Sequence, residues 1–224
     1  MKKLRIGLAG LGTVGKGVYD IVKKDAAILA KRTGVEFVIT AASARSKKDF
    51  LDAKVKFYPD AVDLANDPEV DVVVEVIGGD VVAKYLIEAS LKNGIKFGKA
   101  KKALLATHGF ELAKLAEEHN SSIAFEASVA GANPIIKIFK EGLAANEIKE
   151  FYAILNGTCN FILTKMQNEN RDFASVLKEA QTLGYAESDP TFDIKGIDTG
   201  HKLAILAAIA SATKPAFNQL HIEG

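Results

Sequence analysis

The sequence predicts an α/β fold with a doubly wound parallel sheet, followed by a second, α+β domain. Short apolar runs alternate with segments of helical spacing through the first half of the chain, which is typical of a sheet covered by helices. The first apolar run passes through closely spaced glycines straight into a helical pattern. Beyond Gly131 the alternation stops, so we expect two domains, 1–132 and 133–224.

The composition is that of an ordinary globular protein. The 224 residues are 48% hydrophobic and 25% charged, and the net charge of +1 gives no electrostatic case for binding nucleic acid or an anionic membrane. Cys159 is the only cysteine, which excludes an intrachain disulfide and fits a reducing compartment. The longest late apolar run, 203–212, is too short to span a bilayer. We therefore expect a soluble cytoplasmic protein.

The glycine spacing at the start of the chain predicts a dinucleotide site. Gly10, Gly12 and Gly15 form G-x-G-x-x-G between a predicted strand and a predicted helix. In such a loop the first glycine permits the tight turn, the second lets a pyrophosphate approach the backbone, and the third lets the helix pack closely on the strand. A glycine-rich turn without a ligand is the alternative, and the strand-to-helix context favours the Rossmann-type interpretation.

The end of the second predicted strand, 35–42, bears on cofactor choice. An acidic residue there binds the ribose hydroxyls of NAD, whereas a basic residue accommodates the 2′-phosphate of NADP. The chain has Ser43-Ala44-Arg45-Ser46-Lys47-Lys48 and no carboxylate before Asp49. Arg45 therefore predicts a preference for NADP, and we expect Lys47 and Lys48 to form a solvated turn.

The remaining elements follow the same logic of periodicity. The nearly continuous apolar run at 71–79 predicts a central strand buried on both faces. Further strands are predicted at 95–98, 122–127 and 147–155, the last in a different, half-exposed sheet. Helices are predicted at 13–31, 83–93 (with Gly94 as its cap), 108–119, 134–143, 161–168, 172–183 and 196–212.

Two features of the second half stand out. An acid-rich loop occupies 184–193, and Asp198 and Lys202 lie four residues apart on one helix face. Taken alone, such a pair is more often an exposed salt bridge than a functional one.

Five segments together resemble the homoserine dehydrogenase family, over nearly the whole chain. They are G-L-G-T-V-G (10–15), E-V-I-G-G (75–79), F-E-A-S-V-A-G-A-N-P (125–134), N-G-T-C-N-F-I-L-T-K-M (156–166) and G-Y-A-E-S-D-P-T-F-D-I-K-G-I-D-T-G-H-K (184–202). The last two are far more specific than the glycine loop.

The resemblance implies reduction of L-aspartate 4-semialdehyde to L-homoserine with NADPH or NADH, in the branch leading to threonine and methionine. It implies Lys202 as the proton donor, Asp198 as the group that orients it, and Lys102 near the nicotinamide and substrate. A lysine ammonium would polarise the carbonyl and stabilise the developing alkoxide. The implied substrate-binding residues are Glu187, at the amino end, and Asp193, Tyr185, Gly157 and Thr158.

The resemblance also implies the ligands of two bound groups. The cofactor, which Arg45 predicts to be NADP in preference to NAD, would contact Gly10, Gly12, Thr13, Val14, Gly15, Arg45, Gly78, Lys102 and Gly184. A monovalent cation such as Na⁺ would be held largely through backbone carbonyls of Glu126, Val129, Gly131 and Asn133; an ordinary strand-to-helix turn is the alternative there. We interpret Cys159 as a packing residue and His201 as a neighbour of the active lysine.

The chain departs from the family pattern in two ways. Where the family usually has T-A-N-K, this chain has Lys99-Ala100-Lys101-Lys102, and clustered like charges disfavour the protonated form of each lysine. The chain is also shorter than usual, so strands that complete the substrate-binding and dimerisation domain are expected to be missing. Two other functions therefore stay open: dinucleotide binding without turnover, or reduction of another aldehyde or imine of amino-acid metabolism. A small-molecule substrate and a homodimer through a complete second domain are expected.

Overall fold

The structure is a computed structural model that describes residues 1–78, 81–98 and 102–224. The chain divides into two compact units, Met1–Ser128 and Val129–Gly224. The sequence places the division four residues later, at 132. Gly79, Lys99 and Lys101 lie outside the described residues.

The first unit is built on one parallel sheet. Within its described residues, six strands lie in the order β3-β2-β1-β4-β5-β6, and every neighbouring pair is parallel. The order reverses between β1 and β4, which makes that position the topological switch point where ligands bind in open α/β sheets. The doubly wound parallel sheet predicted from the sequence is thus confirmed. The strands are β1 Lys2–Ala9, β2 Val35–Ser43, β3 Lys56–Tyr58, β4 Val72–Glu75, β5 Lys96–Gly98 and β6 Ile123–Ala124.

Helices connect these strands and cover the sheet. The single helix predicted at 13–31 is interrupted at Asp25, and the helix predicted to begin at 108 begins at Lys102. The described helices are α1 Thr13–Lys24, α2 Ala26–Thr33, a 3₁₀ turn Ala61–Asn66, α3 Val81–Lys92, α4 Lys102–Glu118 and a short α5 Glu126–Val129.

The core of the first unit forms where α1 packs on β1 and β2. Leu8 is fully buried and Ile6 and Ile39 are nearly so, because strands in the middle of a parallel sheet are covered on both faces. Tyr19 of α1 reaches into the same cluster, and its hydroxyl accepts a hydrogen bond from the Asp52 N–H at 3.0 Å. This packing fixes the start of α1 against the end of β1, where the glycine loop lies.

The second unit is helical. All of Val129–Gly224 is described, and these residues contain no strand. Its elements are α6 Ile135–Lys137, which continues as a π-helical turn Ile138–Gly142, then α7 Gly157–Glu169, α8 Phe173–Thr182, α9 Thr191–Ile194, α10 Ile197–Ala210 and a 3₁₀ turn Phe217–Gln219.

Helices α7 and α8 are joined by both apolar packing and ion pairs. Ile162, Val176 and Ala180 form a buried cluster between them. On the surface, Lys165 contacts Glu179 at 3.0 Å, and the guanidinium of Arg171 also binds Glu179. This pairing makes α7 a firm support for the residues at its N-terminus.

The strand predicted at 147–155 is wrong. The segment has no strand assignment, and Tyr152 and Ile154 are among the most exposed apolar side chains of the chain. Alternation of apolar and polar residues identifies the two faces of an extended segment, but a strand also requires a partner for its backbone hydrogen bonds. The described residues of the second unit offer no strand to pair with it.

Candidate active site

The glycine loop lies at the switch point of the sheet. Gly10 follows β1, and its N–H donates to the Ser43 carbonyl at 2.8 Å, while the Val76 N–H donates to Ala9 at the same distance. The carboxylate of buried Glu75 accepts the Ile77 N–H at 2.8 Å. The ends of β1, β2 and β4 are thereby held together around the loop.

The three loop glycines are required for different reasons. Gly10 has φ of +109°, and a Cβ there would lie 2.7 Å from the Val76 carbonyl oxygen. A Cβ on Gly15 would lie 2.0 Å from the Gly10 carbonyl oxygen, so the helix could not pack on the turn. A Cβ on Gly12 would meet no protein atom within 4 Å. Packing therefore requires glycine at two positions, whereas Gly12 leaves space open to a ligand.

An open cleft of about 1110 Å³ runs from this loop to the end of β2. No acidic residue occupies the first turn of α1, so its N–H groups and positive dipole end suit a phosphate. The donors and open backbone fit a dinucleotide. The cleft is lined by residues from four segments: Gly10, Leu11, Gly12, Ser43, Ala44, Arg45, Ser46, Lys48, Pro59, Asp60, Ala61, Val76, Ile77, Gly78 and Val82.

The basic end of the cleft is formed by the segment that follows β2. Arg45 and Lys48 both line it, and the Lys48 ammonium donates to the Ser46 hydroxyl at 3.3 Å. Lys47, by contrast, is exposed and does not line the cleft. Lys47 and Lys48 are both exposed, as expected for a solvated turn, and Lys48 additionally lines the open cleft.

A second pocket, of about 610 Å³, lies within the second unit. It is formed by the N-terminus of α7, the loop before α9 and one face of α10. Lys202 contributes the only ammonium among its lining residues. The lining brings seven predicted site residues together with two others: Gly157, Thr158, Gly184, Tyr185, Asp193, Asp198 and Lys202, with Asn156 and Phe161.

The Asp198–Lys202 pair is mostly buried in this pocket. The Lys202 ammonium contacts the Asp198 carboxylate at 2.7 Å, and the two side chains are 17% and 11% exposed. The same ammonium donates to the Leu155 carbonyl at 2.7 Å. Exposed salt bridges on helices are weak, because solvent screens both charges. The Asp198–Lys202 pair is mostly buried, so it differs from the exposed pair that its spacing alone suggests.

The walls of the pocket are fixed by further contacts. The Thr158 hydroxyl donates to the Tyr185 carbonyl at 2.8 Å, and the rings of Phe161 and Tyr185 lie 4.9 Å apart. Tyr185 remains 57% exposed, so its ring closes one side of the pocket without filling it. Two carboxylates and one ammonium among the lining residues give the pocket a polarity suited to a small zwitterion.

Cys159 is adjacent to the pocket. Its thiol donates to the Asp193 carbonyl at 3.3 Å. Burial raises the pKa of the Cys159 thiol, and the negative charges of Asp193 and Asp198 raise it further. Because the thiolate and not the thiol is the nucleophile, a raised pKa favours a packing role for Cys159 over a nucleophilic one. His201 is buried in α10 outside the pocket lining, with its ring 4.4 Å from that of Phe217.

Several predicted site residues are not brought into either pocket lining. Glu187 is exposed, and its backbone carbonyl accepts a hydrogen bond from the Gln181 amide at 3.1 Å. Lys102 is half-buried at the start of α4. Thr13, Val14 and Gly15 begin α1 beside the cleft without lining it. The roles of these residues stay predictions.

The predicted cation ligands lie close together in sequence around α5. Glu126 and Val129 begin and end that helical turn, and the Asn133 N–H donates to the Ala130 carbonyl at 3.2 Å. Within the described ranges, no group of three or more His, Cys, Asp or Glu side chains could hold a metal. A site built from backbone carbonyls, which the sequence predicts at this turn with Gly131, is a different kind of site and stays a prediction.

Sequence reasoning assigned no role to Asn156. This buried residue is the N-cap of α7, and its side chain donates to both pocket carboxylates, Asp193 and Asp198. An Asn before a helical pattern is a recognisable N-cap, but its partners lie 37 and 42 residues away, and only the fold reveals them.

The sheet order and the glycine loop define the chain as a dinucleotide-binding α/β protein with a second, pocket-bearing unit. Two family models match it: the homoserine dehydrogenase NAD-binding domain over residues 10–126 and homoserine dehydrogenase over 134–224. The chain therefore belongs to the homoserine dehydrogenase family, whose members are NAD(P)-dependent oxidoreductases of amino-acid biosynthesis. Residues 10–126 form its nicotinamide-dinucleotide-binding region.

Individual relatives agree with this assignment. The chain is 44% identical to homoserine dehydrogenase of Pseudomonas aeruginosa and 46% identical to that of Neisseria gonorrhoeae, in each case over 100% of this chain and 52% of the relative. Its structure matches a homoserine dehydrogenase from Thiobacillus denitrificans with a TM-score of 0.94 at 43% identity, covering 100% of this chain and 52% of the other. A hyperthermophilic archaeal homoserine dehydrogenase in complex with NADPH matches with a TM-score of 0.83 at 30% identity, over 95% of this chain and 71% of the other.

The chain thus spans about half the length of the bacterial relatives it matches. This agrees with the predicted incomplete second domain. Among the described residues, no helix combines the length and apolar character needed to cross a bilayer.

Proposed function

We propose that the chain interconverts L-aspartate 4-semialdehyde and L-homoserine with a nicotinamide cofactor, NADPH in preference to NADH. The observation that carries this proposal is the mostly buried Asp198–Lys202 pair, which lines a polar pocket of about 610 Å³. An ammonium in that setting can stabilise the negative charge that develops on the substrate oxygen and then donate a proton to that oxygen.

In the proposed mechanism the chain's own residues bind the substrate and supply the proton. Asp193 and Glu187 attract the substrate's ammonium group, and Lys202 lies toward its aldehyde oxygen. The chemistry that a nicotinamide cofactor would supply, when bound, is a hydride for the carbonyl carbon. As the C=O double bond becomes a single bond, the Lys202 ammonium gives one proton to the oxygen, and solvent later restores that proton. Gly157, Thr158 and Tyr185 shape the pocket, and Lys102 adds a positive charge near the reacting carbonyl.

The cofactor is assigned to the cleft of the first unit. The open space beside Gly12 and the N-terminus of α1 support pyrophosphate binding there. Arg45, with Ser46 and Lys48, supports binding of a 2′-phosphate, because a guanidinium binds phosphate through paired hydrogen bonds. Val14, Thr13, Gly78 and Gly184 are assigned to the same cofactor.

The remaining parts of the proposal concern ions, partners and location. A monovalent cation such as Na⁺ is assigned to carbonyls of Glu126, Val129, Gly131 and Asn133. The homodimer is assigned to the second unit when complete. The net charge of +1 and the single cysteine support a cytoplasmic protein without a nucleic-acid partner.

The proposal is tested by mixing the purified chain with NADPH and aspartate semialdehyde and following the absorbance of NADPH. We expect NADPH consumption that depends on the semialdehyde and yields homoserine. Consumption with other aldehydes or imines in a substrate panel, but not with this one, would replace the proposed substrate.

A second candidate function is dinucleotide binding without turnover. Lys99 and Lys101 in place of the Thr and Asn of T-A-N-K, and the length of about half that of the relatives, favour it. Calorimetric binding of NADPH together with no absorbance change in the assay above would select this function over the first.

A further inference from the structure

Asn156 holds three parts of the pocket through one side chain. Its amide NH₂ donates to Asp193 at 2.7 Å and to Asp198 at 3.1 Å, and its amide oxygen accepts the Cys159 N–H at 2.8 Å. The residue is 8% exposed. The Cys159 N–H can only donate, so the amide atom that faces it is the oxygen and the NH₂ group faces the two carboxylates.

The contacts of Asn156 meet those of Lys202 at one atom. The Asp198 oxygen that accepts from Asn156, Oδ2, also contacts the Lys202 ammonium at 2.7 Å. The preceding residue, Leu155, supplies the carbonyl that accepts a second N–H of the same ammonium. Residues 155 and 156 thus fix two of the three N–H directions of Lys202, one directly and one through Asp198.

We propose that Asn156 is a positioning residue, which bridges the carboxylates of Asp193 and Asp198 and thereby aims the remaining N–H of Lys202 into the pocket. This inference rests on the proposed function, because it gives Asn156 a part in proton donation. A neutral amide suits this role, because it separates two like charges with two donors and leaves the charge balance of the Asp198–Lys202 pair unchanged.

Asn156 also caps α7, so the test must separate positioning from helix stability. Asn156→Ser keeps a good N-cap but can no longer donate to both carboxylates. Asn156→Asp keeps the shape and the capping oxygen but replaces both donors with a further negative charge. Asp172→Ala is the matched control, since Asp172 caps the next helix by accepting the Ser175 N–H at 3.0 Å and lies outside the pocket lining.

The first measurement is steady-state kinetics with thermal unfolding. We expect kcat to fall about 10- to 100-fold in both Asn156 variants, because a small misplacement of a reacting group is enough for such a loss. The KM for NADPH should not change. We expect Asp172→Ala to lower the melting temperature while keeping wild-type kcat. The inference is overturned if Asn156→Ser keeps wild-type kcat. It is also overturned if kcat falls as much in Asp172→Ala as in Asn156→Ser.

The second measurement does not depend on turnover. In ¹⁵N-labelled protein, the Lys202 ammonium should give an NMR signal slowed in exchange by its two acceptors, and Lys202→Arg assigns that signal. We expect the signal to shift or broaden beyond detection in Asn156→Ser and to persist in Asp172→Ala. A signal unchanged in Asn156→Ser overturns the inference. If the wild-type chain shows no turnover, the proposed enzymatic function fails for this chain, and the ammonium signal alone decides whether Asn156 positions Lys202.

Discussion

At the scale of single residues, the pocket of the second unit depends on a few polar atoms in a confined space. Lys202 is the ammonium on which the proposed chemistry depends, and it is held on two sides. In the first unit, the proposed cofactor preference depends on Arg45, an exposed cation at the basic end of the cleft.

Replacing Lys202 should abolish most of the proposed activity. We expect Lys202→Ala to lower kcat by about 10²- to 10⁴-fold, because it removes both the proton donor and a positive charge next to the developing oxyanion. Calorimetric binding of NADPH should be retained. Full activity in Lys202→Ala, in a chain that is itself active, would contradict the assigned role.

Replacing Arg45 should weaken the preference for NADPH over NADH. We expect Arg45→Ala to raise the KM for NADPH about 10- to 100-fold, the equivalent of one or two charge-assisted hydrogen bonds, with little effect on NADH. Lys47→Ala is the control, because Lys47 is a nearby exposed cation outside the cleft lining. An unchanged ratio of the two KM values in Arg45→Ala would refute the 2′-phosphate assignment.

At the scale of elements, the turn from β1 into α1 and the pairing of β1 with β4 form the cofactor cleft. Gly10 and Gly15 are fixed by packing, whereas Gly12 faces open space. At the opposite end of β4, the Arg5 guanidinium holds Asp71 through hydrogen bonds of 2.7 and 3.0 Å, which links β1 to the residue before β4.

Substitutions at different glycines should therefore affect either the stability of the chain or its affinity for NADPH. We expect Gly10→Ala to destabilise the chain by about 1–3 kcal/mol from its positive φ, with the clash against Val76 adding to that. Gly12→Ala should unfold at nearly the wild-type urea concentration yet bind NADPH more weakly. Gly17→Ala, in the middle of α1 where an added Cβ would meet no atom within 4 Å, should be stabilising by about 0.5–1 kcal/mol and bind normally. Urea titration and calorimetry check all three, and equal NADPH affinity in Gly12→Ala and wild type would argue against the cleft.

The Arg5–Asp71 pair should contribute to stability in a pH-dependent way. The hydrogen bond from the Arg5 guanidinium lowers the pKa of the Asp71 carboxyl, against the opposing effect of burial. A carboxyl with a lowered folded-state pKa stabilises the fold above its unfolded pKa of about 3.9, and that contribution is lost as pH falls through the folded value. We expect Asp71→Asn to flatten the loss of stability below about pH 4 in urea titrations. Asp49→Asn, in an exposed turn, is the control, and an unaltered acid slope in Asp71→Asn would contradict the linkage.

The elements that were predicted correctly are those whose sequence patterns depend only on residues adjacent in the chain. The G-x-G-x-x-G turn and the apolar run of β4 depend on residues adjacent in the chain, and both predictions were confirmed. The strand Lys56–Tyr58 was missed, because three residues with one lysine show no clear alternation. The strand at 147–155 was predicted wrongly, because alternation cannot say whether a partner strand exists. The sequence could not predict that Lys48 lines the cleft or that Asn156 contacts the pocket carboxylates, because the surroundings of both side chains include residues distant in sequence.

At the scale of the whole molecule, the chain consists of a parallel sheet unit and a helical unit that includes an exposed segment without helix or strand. That segment, 147–155, exposes Tyr152 and Ile154 at 89% and 78%. An exposed segment with large apolar side chains is a surface on which a second chain can pack.

We expect the chain to associate with itself through this segment as concentration rises. Ile154→Lys should reduce the association, because a charge opposes burial of the segment against another chain. Leu183→Lys is the control, since Leu183 is 55% exposed in the same unit but lies at the end of α8. Sedimentation velocity at several concentrations measures the effect, and identical association in wild type and Ile154→Lys would exclude the segment as the contact.

The contact between Lys202 and the Leu155 carbonyl has a consequence for mutagenesis of this pocket. The accepting atom belongs to the backbone, so exchanging the Leu155 side chain leaves the acceptor in place. A scan by alanine substitution would therefore pass over one of the two anchors of the lysine. Replacing the peptide bond after Leu155 by an ester, which weakens the carbonyl as an acceptor without altering any side chain, is the experiment that would make this anchor visible.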